Sequence, residues 1–386
     1  MRKLVVLALA TFVLFLSTLV GTPVIPELAS RLGAGTNATA ATLSSALMTV
    51  VLLQFFAGGL ADRYGRRPVL GIAALAGGLT SLGCALAPSW HWLLAMRILG
   101  GVADAVSMPA LLGLTVEISE GRQGTSLGVL RSAQGVSFIL GPAIGGTLSF
   151  VSLRMPFLAD AALSLVACIL LVSLVPGQSA RPGEGHHWLQ LGRLKALFVE
   201  RRFYAFALFC GVNNVAFPVL SVFVPIKARQ SGADPRHISL MLVLEAVCFS
   251  LASWLVGRAS DRWGRRVLVV AAQPGVMLSC VGLALAQTWP MMAAWYALFG
   301  LAGGTTFLLG LVMAADVTPP ADAAGLLGAF DAAVDLLIFV APALAMVIYR
   351  QLGHVAPLFL MAGLPALLAL PVALSVGETK AGNDQE

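Results

Sequence analysis

Six ionisable residues stand inside stretches that are otherwise apolar: Arg97, Asp104, Arg131, Glu245, Asp331 and Asp335. A charge at the centre of a bilayer costs on the order of 2.5 to 3.5 kcal/mol on insertion scales, so such residues are functional candidates by default. Asp331 and Asp335 are spaced i, i+4 and share one helix face. Two carboxylates side by side in a low dielectric cannot both ionise cheaply, which favours one of them holding a proton. That is the chemistry of a proton carrier. The bland alternative is charge pairing with Arg97 or Arg131. Among the acids, Asp160 has Arg154 six residues away and is read as its partner near the surface.

The elements that must position these residues are membrane helices. The 386-residue chain is 58% hydrophobic and only 11% charged, with a mean hydropathy of +0.89, whereas an ordinary soluble domain is about a quarter charged. A helix that spans lipid needs roughly 20 mostly apolar residues, because its backbone amides have no other partners there. Runs of that length predict twelve spans, near 4–26, 40–61, 69–88, 91–115, 125–149, 154–176, 203–226, 238–258, 267–287, 290–314, 325–348 and 355–376. Continuous apolar runs exclude a barrel of short alternating strands. The first run is too long for a signal-peptide core, lacks a small-residue cleavage site and ends in Pro23 and Pro26, so it reads as a retained helix.

With the N-terminus inside, sixteen of the 24 Lys and Arg residues fall in inside segments and six outside. The expectation is a multi-pass protein of the inner (plasma) membrane with both termini cytoplasmic. A pI of about 9.4 then reports topology, and no nucleic-acid partner is expected. Five cysteines all lie in spans without paired spacing, so neither a disulfide framework nor a metal site is predicted. No G-x-x-x-x-G-K-[ST] loop is present, which argues against an ATP-driven pump. Neither a cofactor nor an enzymatic activity is expected.

A repeat gives the organisation. Gly58-x-x-x-Asp62-Arg63-x-Gly65-Arg66-Arg67 recurs 199 residues later as Gly257-x-x-x-Asp261-Arg262-x-Gly264-Arg265-Arg266, and the same offset carries Glu117 onto Asp316. Six helices lie within one period, so both halves run in the same orientation about an axis along the membrane normal. The expected domains are a six-helix bundle over 1–176, a cytoplasmic linker over 177–202 and a second six-helix bundle with a short tail over 203–386. Gly58 and Gly65 allow a close helix approach and a tight turn.

The repeated loop resembles motif A of the major facilitator superfamily, and the likeness covers essentially the whole chain. Gly128, Ser137 and Gly141-Pro142-x-x-Gly145-Gly146 resemble motif C of its twelve-helix drug/proton antiporters, with Ser137 at a glycine position. Around Arg97, Gly100-Gly101 and Asp104 resemble motif B less closely. The resemblance implies an all-α fold of twelve helices in two bundles related by pseudo-two-fold symmetry. It implies that the charged loops, with Glu117 and Asp316 as acidic partners, latch the cytoplasmic side, and that Arg97 assists proton transfer. It also implies that helices one, four, seven and ten line a cavity, so Asn213, Asn214, Asp104, Trp295, Tyr296 and Phe299 are candidate substrate contacts. Phe56 and Phe223 are read as facing lipid.

The function expected is a monomeric, proton-coupled antiporter that exports small amphipathic or cationic molecules by alternating access. The proton-coupling candidates are Asp331, Asp335, Asp104, Glu245, Arg97 and Arg131, four acids against two bases. The rival readings are a specific metabolite or metal-ion exporter, an uptake symporter of the same fold, and a non-transporting receptor. On sterics alone, alanine at Gly145 should be mild and leucine severe.

Overall fold

A computed structural model describes residues 2–119, 121–173, 214–318 and 323–375. The expected linker, Cys210, Asn213, the start of the seventh span and the tail lie outside the described residues. The elements are α1 (Arg2–Val20), a 3-10 turn (Thr22–Val24), α2 (Ile25–Arg31), α3 (Thr36–Tyr64), α4 (Arg66–Ala85), α5 (Trp90–Ile118), α6 (Gln123–Ser149) and α7 (Met155–Ser173). They continue as α8 (Ala216–Gln230), α9 (Pro235–Trp263), α10 (Arg265–Leu285), α11 (Trp289–Asp316), α12 (Ala323–Leu352) and α13 (Ala356–Ser375). Among the described residues ten spans, α1 with α2 counted together, are long and apolar enough to cross a membrane, and Ala356–Pro371 adds a shorter apolar helix.

Local sequence sets the breaks. α3 and α9 stop where Gly65 and Gly264 take φ of +93° and +91°, a region closed to most side chains, and α4 and α10 restart at once. α9 begins with a capping box between Asp234 and His237 and with Pro235 in its first turn. Ser89 Oγ accepts from the Trp92 amide at the start of α5.

The chain forms two compact units. The first comprises Met1–Glu120, Ala133–Gly192 and Pro319–Ala332; the second comprises Gly121–Ser132, Arg193–Thr318 and Ala333–Glu386. In the first, α5 packs on α3 and α4, and α7 packs on α4 and α1. In the second, α11 packs on α9 and α10, and α13 packs on α10. Each bundle has its own apolar interior. Leu7, Leu70, Leu111 and Leu171 are in one, and Leu220, Phe223, Cys280 and Phe359 are in the other. Large apolar side chains also face outward, such as Ile72 at 68% and Leu368 at 72% exposure, as lipid-embedded helices require. Phe56 is exposed as expected. Phe223 is not: it is fully buried, with its ring centroid 5.5 Å from that of Tyr349. The apolar run of α8 has an inward face that composition alone does not mark.

Candidate functional site

The turn at Gly65 sets Arg66 at the head of α4, where the side chain is almost fully buried. Its Nη2 donates to Asp62 Oδ1 at 2.8 Å, and its Nη1 donates to the Gly113 carbonyl at 2.7 Å and to Glu117 Oε2 at 3.2 Å. Asp62 has a second task. Its Oδ2 accepts from the Gly325 amide at 2.7 Å, and its Oδ1 accepts from the Ala324 amide at 3.3 Å, so the carboxylate caps the N-terminus of α12. The first amides of a helix lack intrahelical partners and carry the positive end of its dipole, which suits an anion. Burial raises the Asp62 carboxyl above its usual range, while Arg66 and the two backbone donors act in the opposite direction. A Cβ at Gly58 would overlap the Ala324 carbonyl, so only glycine admits this approach.

The second repeat builds the same device. Arg265 Nη1 donates to Asp261 Oδ1 at 2.7 Å and to Ser260 Oγ at 2.9 Å, and its Nε donates to Asp316 Oδ2 at 3.1 Å. Asp261 accepts from the amides of Gly124 at 3.1 Å and Thr125 at 2.6 Å, capping α6. A Cβ at Gly257 would overlap the Gly124 carbonyl. Within each basic run these networks are built on one arginine. Arg63, Arg262 and Arg266 are exposed, Arg67 is half-buried, and Arg63 lies over the ring of its neighbour Tyr64.

The residues on span interiors take distinct settings. Asp331 is buried and accepts from Gln54 Nε2 at 3.2 Å, and Asp335, one turn on, is half-buried. Arg131 is buried with its guanidinium carbon 4.7 Å from the Phe307 ring centroid, a cation–π arrangement. Glu245 on α9 is buried, its Oε1 has no hydrogen-bond partner among the described residues, and Gly300 of α11 packs against its carbonyl. Arg97 and Asp104 line a cavity in the first unit together with Asp160.

α6 meets α1 along one face. Ser137 Oγ donates to the Phe12 carbonyl at 2.9 Å, Gly141 abuts Leu19 and Gly145 abuts the Val20 carbonyl. Positions i, i+4 and i+8 recur on one side of a helix, so three small residues make one seam. Gly146 has nothing near it.

The family model of the Major Facilitator Superfamily matches residues 7–227 and 212–385. The chain belongs to the Major Facilitator Superfamily. Relatives include the quinolone resistance protein NorA of Staphylococcus aureus, 28% identical over 185 residues, a match covering 47% of this chain and 48% of NorA. A second is the uncharacterized MFS-type transporter YybF of Bacillus subtilis, 29% identical over 245 residues, covering 60% of this chain and 59% of YybF. The chain thus aligns with about half of the length of each curated relative. The human organic anion transporter MFSD10 (TETRAN) shares the fold, with a TM-score of 0.82 at 16% identity over 96% of this chain and 99% of that one.

The superfamily fold accounts for twelve spans; where the side chains sit differs in places from expectation. Tyr296 and Phe299 are buried in the second unit's core, and Trp295 is half-buried with its ring filling the space that Gly282 leaves on α10. These aromatics therefore pack the bundle in this structure and are not displayed on an open surface. Asn214 is buried just before α8. Asp160 does not pair with Arg154, which donates to the Ala87 carbonyl. Arg154 stands just before α7 begins, whereas Asp160 lies inside the helix and turns inward to Ser81 and Ser164. Gln54, Ser81 and Thr18 were not singled out by sequence, since lone hydroxyls and amides in apolar runs carry no spacing signal. Among the described residues no group of three His, Cys, Asp or Glu side chains could hold a metal.

Proposed function

We propose that this superfamily member is a proton-coupled antiporter of the plasma membrane, exporting small amphipathic or cationic molecules by alternating access, with both termini cytoplasmic. The observation that carries the alternating-access reading is the pair of capped helices. Asp62 of the first sequence half caps α12 of the second, and Asp261 of the second half caps α6 of the first. Breaking both caps would free the cytoplasmic ends, and remaking them would close that side. Support for a cation comes from the acid excess, Asp104, Glu245, Asp331 and Asp335 against Arg97 and Arg131. The similarity to NorA, a quinolone resistance protein, favours efflux.

The decisive measurement is efflux from proteoliposomes under an imposed pH gradient, with panels of organic cations, fluoroquinolones and organic anions. Export of cations in exchange for protons supports the reading. Transport unaffected by the gradient, or of anions alone, overturns it.

Asp62→Asn is expected to slow turnover while substrate affinity holds. An amide presents one acceptor oxygen in place of two and no charge to the α12 amides or to Arg66, a loss on the order of 1 kcal/mol for a helix cap. That shifts the balance between conformations by roughly fivefold. Equilibrium substrate binding and single-turnover efflux separate the two effects; lost affinity with unchanged exchange would contradict the latch.

A further inference from the structure

The first unit holds a charged cluster where the second carries Cys280, Leu283 and Tyr296. Asp160 on α7 accepts from Ser81 Oγ of α4 at 2.5 Å and from Ser164 Oγ at 3.2 Å. Asp104 on α5 and Thr18 of α1 stand on the wall of the same cavity. Arg97, two turns earlier on α5, has a buried Nε without a hydrogen-bond partner among the described residues. All of them line one cavity of about 20 Å³, room for one water-sized molecule. Cys84 of α4 is the other titratable side chain on its wall, and α1 contributes only hydroxyls and an aliphatic side chain.

The internal duplication supplies a control. The 199-residue offset that joins Arg66 to Arg265 also joins Trp90 to Trp289, the first residues of α5 and α11. It carries Ser81 to Cys280, Cys84 to Leu283, Arg97 to Tyr296 and Asp104 to Gly303. Cys280, Leu283 and Tyr296 are fully buried in the second unit's core. On the last helix of each half, Met155-Pro156 set against Ala356-Pro357 carries Asp160 to Met361, which is exposed, so the comparison rests on the α4 and α5 positions. The packing of α10 on α11 is thus built without a charge at the positions of Ser81, Cys84, Arg97 and Asp104, so the fold does not require charges there. One guanidinium against two carboxylates leaves one negative charge uncompensated, which is costly in a low dielectric.

We propose that Asp104 and Asp160 share one exchangeable proton across this cavity, a second proton site on helices other than the one that carries Asp331 and Asp335. The assignment rests on the proton-coupled reading above. On uptake, one carboxylate binds a proton from water and becomes an O–H donor, while Arg97 balances the other; on release the proton returns to water and the site is again singly negative. A hard metal cation would need a shell of about six oxygens, more than this cavity and its guanidinium leave.

The test uses the full chain in nanodiscs and proteoliposomes. Infrared difference spectra across a pH titration should show a protonated-carboxyl band that disappears in Asp160→Asn and in Asp104→Asn and returns, shifted, in Asp160→Glu. Proton flux per substrate exported should fall by one in the asparagine variants and be retained in Asp160→Glu. An unchanged band and an unchanged ratio in both asparagine variants overturn the proposal, as does a site whose band responds to sodium in place of pH. If the wild type moves substrate with no proton flux, the antiporter reading fails, and the infrared band alone then decides whether the cluster holds a proton. An asparagine variant that does not fold is replaced by Asp160→Glu, whose band must shift if Asp160 titrates and stay fixed if it does not.

Discussion

Asparagine at both Asp331 and Asp335 is expected to remove the proton that this pair carries and so to cut accumulation driven by a pH gradient sharply, while leaving expression and substrate binding intact. The amide has nearly the shape of the carboxyl, and its Oδ1 can still accept from Gln54 Nε2, the donor found 3.2 Å from Asp331. That acceptor contact is therefore kept, and an orphaned Gln54 amide, which would cost roughly 1 to 3 kcal/mol, is avoided. What the amide cannot do is take up and release a proton. Exchange of labelled for unlabelled substrate without a gradient should persist, and that separates a coupling defect from a folding defect. The Asp331→Asn single variant should carry most of the effect, because Asp331 is buried and Asp335 only half so. Full gradient-driven transport in the double variant would remove this pair from the mechanism.

Gly145→Leu is expected to lose export and to leak protons. The seam of Ser137, Gly141 and Gly145 lies against α1, and a Cβ at Gly145 would overlap the Val20 carbonyl. Backbone cannot move aside as a side-chain tip can, so even Gly145→Ala should be damaging, at about 1 to 3 kcal/mol of overpacking. This corrects the expectation that alanine would be mild. Gly146→Ala is the internal control, because nothing lies within 4 Å of the Cβ it would add. Proton leak and substrate efflux measured together should rank the variants as wild type and Gly146→Ala, then Gly145→Ala, then Gly145→Leu. A tight, fully active Gly145→Leu would falsify the seam as a seal.

Much of the architecture was legible because a bilayer writes long apolar runs and a duplication writes its offset. The turn glycines Gly65 and Gly264 were legible for the same reason: their type answers to one backbone conformation. The site was harder. Four arginines of the paired loops look alike in sequence next to Arg66 and Arg265, and only the turn decides which one points inward. Phe223 and Tyr296 belong to helices apolar on several sides, where composition does not say which face meets lipid. Asp160 was misplaced because nearness along the chain was taken for nearness in space. The Val20 carbonyl beside Gly145 has no residue signature at all.

The helix caps set an unusual rule for sequence drift. The donors to Asp62 are the amides of residues 324 and 325, and the donors to Asp261 are those of residues 124 and 125, 200 positions earlier. The pairs are Ala-Gly in one copy and Gly-Thr in the other, so the duplicates changed identity and kept the bond. Nineteen amino acids present an N–H there; proline does not. Tolerance at position 324 should therefore follow volume, since glycines at 58 and 113 crowd that turn, and be blind to polarity. The carboxylate side has no such freedom. One face of each latch can wander through the small residues while the other stays fixed, and this asymmetry would mark the pair in any collection of descendant sequences.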